Sequence, residues 1–401
     1  MKSLYWLRSD LRIRDNEALL ACLKLGGESV VVFAETASLK RAEHFRRFFI
    51  NESLLEFKNK VEHLGLQFIQ TELSFSDWLN AEPRAFDSLL FTREHAWEER
   101  LEEARVEELC QQWGTQVLAF HQGTLVSQTD LPFAVADMPF VFTEFRKKIE
   151  ATLKVRPLLT QPALSLSQSS TTNVQRPLTG GEDQGLARLE HYLWNSDAVQ
   201  TYKETRNGMI QFDDSSKFSP WLATGCLSAR TVYHELKRYE SEVCENESTY
   251  WLFFELLWRD YFKFFSVKFG KKIFLRSGVS PGRSQMVRDP ALFNSWCEGA
   301  TQDVFVNANM EELNQTGWMS NRGRQNVASY LIHDLGLDWT WGAAYFEKKL
   351  IDYDPDSNWG NWLYLSGRGS DPRARKFNTA KQAETYDPLG EYRKKWHRDF
   401  K

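Results

Sequence analysis

The strongest constraint on the fold is a change in apolar periodicity part way along the chain. Through residue 120, short apolar runs alternate with longer segments of helical spacing. The strand candidates are Ser3–Leu7, Ser29–Phe33, Leu66–Gln70, Asp87–Phe91 and Gln116–Phe120, and the helical stretches between them are Asn16–Leu25, Ala42–His63 and Ala96–Trp113. Runs that are apolar at nearly every position suit strands covered on both faces, and crossover helices suit parallel pairing. The expectation is an α/β N-terminal domain, residues 1–135, built on a five-stranded, doubly wound parallel sheet. Residues 136–185 read as an inter-domain linker, with Pro157, Pro162, Pro177, Gly180, Gly181 and the polar run Ser165–Thr172. From 186 to 401 the spacing is helical and predicts an all-α domain, with loops at Gly278–Gly282 and Asp352–Gly360.

Several function classes fall away. No run of about 18 apolar residues is present, and the start, Met1 to Arg8, is charged too early for a secretory signal, so a soluble, cytoplasmic monomer is expected. The five cysteines are scattered without CxxC spacing and the eight histidines form no HExxH, so neither a disulfide framework nor a metal site is expected. The first strand is not followed by GxGxxG, and GxxxxGK[ST] is absent, which leaves the α/β half without the usual nucleotide cradle. Residues 1–150 carry 18 Lys+Arg against 24 Asp+Glu, whereas residues 366–401 carry ten against five, so a polyanion is expected to dock at the C-terminal end. Eleven of the fifteen tryptophans lie beyond residue 190, more than a helical core needs.

Four segments carry the chemistry. Tyr202 to Arg206, then Ser215-Ser216-Lys217-Phe218-Ser219-Pro220, place hydroxyls and a cation ahead of a helix start, which suits a pyrophosphate; an ordinary capped helix is the alternative. Trp251 to Tyr261 put Glu255, Trp258 and Arg259 in an aromatic helix, where a carboxylate beside a flat ring can grip a base or a flavin; a Glu255–Arg259 helix pair is the competing account. Asn321 to Asn326 and Asp352 to Tyr364 complete the set, the last crowding Asp352, Asp354, Asn358 and several rings into a punctuated loop.

Together with Trp6-Leu7-Arg8-Ser9-Asp10-Leu11-Arg12, these blocks resemble the cryptochrome/photolyase family across nearly the whole chain, and the DASH-type cryptochromes within it. Val141 to Lys147, Gly180-Gly181-Glu182, Ser320 to Asn326 and Asn361 to Tyr364 favour that subgroup. The resemblance implies non-covalent FAD in the helical domain. Tyr202 and Ser215, Ser216, Lys217, Phe218 and Ser219 would hold its adenosine and phosphates. Arg324 and Asp352 would pair beside the ring, Asp354 would accept from its pyrimidine edge, and Asn358 would face N5, a choice suited to a reduced anionic flavin. Glu255, Trp258, Arg259 and Asn321 complete the cofactor-facing set.

On the DNA side the resemblance makes Glu255 and Asn321 partners of a cyclobutane pyrimidine dimer, with Trp258 and Tyr364 as flat walls. Arg206, Gln325 and Arg368 would join the DNA contact, with Arg373, Arg375 and Lys376 steering phosphates. Gln325 and Tyr364 follow the DASH pattern and give less stacking energy for flipping a dimer, which favours single-stranded substrate. For photoreduction, Trp362 is the flavin-proximal donor and Trp339 the middle one; Met286 stands at the distal position, with Trp318 and Trp359 as candidate exits. An antenna chromophore such as methenyltetrahydrofolate belongs to the family picture, although its binding residues have no clear match here. The reading is light-driven dimer repair; the rival is a blue-light receptor that keeps FAD and binds nucleic acid or a partner without repair.

Overall fold

The computed structural model describes residues 2–82, 86–160, 178–280, 286–371 and 375–397. Five parallel strands, β1 (Lys2–Leu7), β2 (Glu28–Ala34), β3 (Gln67–Thr71), β4 (Ser88–Thr92) and β5 (Gln116–Phe120), lie in the order β3-β2-β1-β4-β5. Each begins within one residue of its sequence-based position. Leu4 pairs in register with Val30 on one side and Leu89 on the other, which puts β1 at the centre. Alternation then divides the side chains: Tyr5, Leu7, Val31, Phe33 and Leu90 join the large core shared with the helical half, whereas Leu4, Trp6, Val30, Val32 and Leu89 join a second core under Phe75 and Trp78. Both faces are covered, so the strands read as unbroken apolar runs.

Crossover helices Glu17–Leu25, His44–His63 and Trp97–Trp113 stand where the spacing puts them. Two more, Ala37–Arg41 and Phe75–Ala81, were not anticipated; each is too short to show a period, but each starts from a side-chain cap, Thr36 and Ser74. The chain leaves β1 toward β2 and later crosses to β4 on its other side, which opens a crevice at the carboxyl ends of these strands.

The stretch read as linker holds more structure than its composition suggests. Helix Phe142–Ala151 buries Phe142, Phe145 and Ile149, and helix Glu182–Glu190 begins before the linker's expected end. At Gly180 an added Cβ would stand 2.0 Å from the Phe49 carbonyl, so this end is pressed against helix His44–His63. Pro162, Pro177 and Ser165–Thr172 lie outside the described residues.

Buried polar contacts lock the α/β half to the helical half. Asp15, in left-handed backbone (φ 52°), accepts from Arg230 Nη2 at 2.9 Å and Nε at 3.0 Å and from the Ser228 hydroxyl at 2.6 Å. Asp260 accepts the backbone N–H groups of Leu125 and Val126 at 2.9 and 2.8 Å. Gly225 (φ 74°) permits close approach, since a Cβ there would meet the Ser9 carbonyl at 1.9 Å. Among the described residues no helix is long and apolar enough to cross a membrane.

Candidate functional site

The helix Glu247–Phe269 is the floor of the site. Asn246 caps it with a reciprocal box to Thr249, and its long aromatic run is buried on several sides. Glu255 and Arg259, one turn apart, face a cavity. They do not pair with each other. Arg259 donates to the carbonyls of Gly123 (2.7 Å) and Leu222 (3.1 Å), and Glu255 is paired by Arg206, whose guanidinium also lies over Trp251.

A second wall is the loop Ser215 to Phe218 and the short helix Ser219–Thr224. Lys217 is buried in left-handed backbone (φ 57°) with its ammonium 4.8 Å from the Trp318 ring centre. Such a conformation is costly for a residue with a Cβ, and it turns a cation toward the cavity beside the hydroxyls of Ser215, Ser216 and Ser219. Burial pulls the Lys217 amine down to about 8, with Glu312 and Asp214 acting against that fall. Among the described residues it forms no ion pair. Tyr202 adds a buried ring at the same end.

The third wall comes from two helix starts. Ser320 caps the helix Asn321–Ser329, which places Asn321 and Arg324 at the cavity. Arg324 holds both oxygens of Asp352 (3.0 and 2.9 Å), and the Ser219 hydroxyl donates to the same carboxylate at 2.7 Å. Asp354, expected in a loop, is instead the cap of a helix, Pro355–Leu365, with Pro at its first turn; the Pro- and Gly-punctuated stretch was read as loop because this start signal was missed. Although burial raises its carboxyl, Lys263 and Arg259 outweigh that effect and hold Asp354 well below the ordinary carboxylate range.

The cavity thus collects Tyr202, Ser215 to Ser219, Glu255, Arg259, Asn321, Arg324, Asp352 and Asp354, with Arg206 at its edge. Cations and hydroxyls at one end suit phosphates; alternating donors and acceptors at the other suit the polar edge of a heteroaromatic ring. That donor set fits FAD.

Other expected residues lie elsewhere. Trp258 is not in the lining: it stacks on Phe142 with ring centres 3.6 Å apart and meets Tyr364 edge-on at 6.0 Å. Asn358 also lies outside it, buried and donating to the Ala343 carbonyl at 3.0 Å. Gln325 is half-buried on the helix Asn321–Ser329, and Arg368 is half-buried beyond Tyr364. The C-terminal cations are less free than charge counting implied, since Arg375 pairs with Asp371 and Lys376 with Asp334, both at 2.7 Å. Arg373 lies outside the described residues.

Among the rings, Trp362 stands edge-on to Trp296 (6.2 Å) and Phe346 (5.1 Å), and packs on Gly342, where any Cβ would clash. Trp339 contacts Trp359, while Trp318 lines the cavity, separating the two exit candidates. Sequence reading missed Trp296 and Lys263. Trp296 looked like one aromatic among many; Lys263 could have been found four residues after Arg259 on the same helical face.

A second cavity fills the crevice at the sheet's carboxyl ends, bounded by Arg8, Ser38, Arg46, Glu99, Tyr353 and Lys263. Burial raises Glu99 to about 8. Ala223 and Asp354 line both cavities, so a thin wall separates them. Away from both, Glu56, Glu182 and Asp183 converge on the Lys60 ammonium at 2.6, 3.1 and 2.8 Å.

Comparison with known proteins gives this geometry a family. Residues 3–164 match the DNA photolyase family model, and residues 251–401 match the FAD binding domain of DNA photolyase. The chain is 41% identical to Cryptochrome DASH of Danio rerio over 97% of its own length and 82% of that protein, and 40% identical to Cryptochrome DASH of Synechocystis sp., over 99% and 88%. The solved structure of the Synechocystis cryptochrome superposes with a TM-score of 0.91 at 39% identity, covering 99% of this chain and 88% of that one. A class III photolyase from Agrobacterium tumefaciens superposes at 0.83 with 25% identity, covering 98% and 86%. With a parallel sheet domain, a helical cavity built for FAD and this likeness over nearly its full length, the chain belongs to the cryptochrome/photolyase family, in its DASH group.

Proposed function

We propose that the protein repairs cyclobutane pyrimidine dimers in single-stranded DNA under blue light. Bound FAD supplies the photoexcited electron that opens the cyclobutane ring and to which the electron returns. The observation that carries this reading is that Glu255 and exposed Asn321 line the same cavity as the Arg324–Asp352 pair, so groups able to hydrogen-bond pyrimidine edges stand next to the flavin-type site.

The residues divide the work. Burial raises the Glu255 carboxyl while Arg206 opposes the rise, so this pair can exchange its partner for a pyrimidine N–H without a full charge being left bare. Trp258 and Tyr364 meet edge-on outside the cavity lining, and Arg206 at the cavity and half-buried Arg368 offer guanidinium groups for phosphate. With Tyr364 and Gln325 at the positions that the family resemblance gives to the DNA contact, a base already unpaired costs less to admit than one flipped from a duplex. The second cavity, at the strand ends and sharing Asp354 with the first, suits an antenna chromophore. Repair is tested by illuminating reduced protein with dimer-containing oligonucleotides, single-stranded and duplex, and following loss of the dimer.

A further inference from the structure

Glu255, Arg259 and Lys263 recur every four residues along one face of the helix Glu247–Phe269. The first two line the flavin-type cavity, and Lys263 lines the second one. Lys263 is buried, and its ammonium donates to Asp354 Oδ2 at 3.0 Å and Asp356 Oδ2 at 3.1 Å. Asp354 Oδ1 accepts the Ser357 backbone N–H at 2.8 Å. Both oxygens of Asp354 are therefore fixed in direction, each with acceptor capacity left for a ligand in the cavity it lines.

One ammonium serves two buried carboxylates here. The other charged and titratable groups facing the cluster are Arg259 on the same helix and Glu94, His95 and Glu99 on the segment after β4. Arg259 is committed to two carbonyls and its charge acts on Asp354 without a hydrogen bond, and burial keeps His95 neutral, so neither replaces Lys263 as a hydrogen-bonding partner. A buried carboxylate deprived of its cation takes up a proton, and a protonated Asp354 would no longer be a pure acceptor.

We propose that Lys263 is a positioning residue for the flavin, which holds Asp354 ionised and aimed as an acceptor from the far side of the wall between the two cavities. The proposal rests on the reading that the flavin ring lies against Asp354. It also explains why a lysine lines the second cavity: one of its partners, Asp354, lines both.

The test compares full-length wild type, Lys263→Arg, Lys263→Met and the double variant Lys263→Met/Asp356→Asn, the last removing one charge of each sign. FAD retention after gel filtration and the visible flavin spectrum are recorded between pH 6 and 9, with circular dichroism to confirm folding. Wild type and Lys263→Arg are expected to retain FAD with superimposable profiles. Relative to wild type at the same pH, Lys263→Met and the double variant are expected to lose at least tenfold more FAD affinity at pH 6 than at pH 9, because only the ionised Asp354 accepts. Should Lys263→Met fail to fold, the charge-balanced double variant carries the comparison. A folded variant lacking Lys263 whose profile superimposes on that of wild type overturns the proposal; wild type that binds no FAD overturns the flavin reading beneath it.

Discussion

Trp339 meets Trp359 edge-on, with ring centres 5.9 Å apart and planes at 77°, and Trp359 donates its indole N–H to the Tyr353 hydroxyl at 3.2 Å. On the reading that Met286 takes the distal place in the electron path, Trp359 is a ring in contact with Trp339 that can extend it. Trp359→Phe is expected to slow light-driven flavin reduction several-fold in the presence of an external thiol, and Trp362→Phe to stop it, as read by flavin absorbance under blue light. An unchanged rate in Trp359→Phe removes it from the path and turns attention to Trp296 beside Trp362.

Glu255 separates repair from photoreception. A hydrogen bond to a charged group is worth roughly 1.5–3 kcal/mol, so Glu255→Ala is expected to lower dimer repair by about tenfold or more. Flavin photoreduction should stay within about twofold of wild type, since the proposed route brings its electrons through Trp339 and Trp362, on other helices. Equal loss of both activities would show that Glu255 acts by holding the cofactor site together.

Asp15 and Arg230 form a buried pair between the two halves, with side chains 2% and 5% exposed. Asp15→Ala leaves the guanidinium with Glu17 as its remaining carboxylate, at 2.9 Å, and is expected to cost about 3 kcal/mol in urea unfolding. Asp15→Asn should cost less, because asparagine tolerates the left-handed backbone and keeps hydrogen-bonding atoms. Equal losses for the two variants would show that the amide's hydrogen-bonding atoms contribute nothing and that the lost charge carries the whole effect.

Burial raises the Glu312 carboxyl from an ordinary 4.5 to about 7, against the pull of the Tyr392 hydroxyl and Lys217. A value raised in the folded state means that folding binds a proton. Its contribution is fully present below pH 4.5 and is lost as pH rises through about 7. Wild type should therefore lose stability relative to Glu312→Gln between pH 5 and 8, by up to about 1.4 kcal/mol per pH unit. Parallel urea curves of the flavin-free proteins measure the difference, and a gap that does not change with pH contradicts it.

The sheet was legible because strands buried on both faces leave uninterrupted apolar runs, as Val30 to Phe33 and Leu89 to Phe91 do. The linker was less so: Phe142, Phe145 and Ile149 have helical spacing, but the prolines and serines that follow dominated the reading. At the site, paired charges such as Arg324 and Asp352 could be named from the motif blocks. Side-chain direction could not: Trp258 turns to Phe142 and Asn358 to the Ala343 carbonyl, outcomes set by packing between distant segments. Lys263 escaped notice for a related reason, since its acids lie 91 and 93 residues away.

The central claim is light-driven repair of single-stranded DNA, and dimer loss under blue light tests it most directly. Reduced, FAD-loaded wild type is illuminated with an oligonucleotide carrying one cyclobutane dimer, and the restored thymines are followed by their absorbance and by chromatography. Turnover on the single strand, faster than on the matching duplex and absent in the dark, is the predicted result. A protein that photoreduces normally yet leaves the dimer intact in both substrates would contradict the claim and identify a receptor in its place.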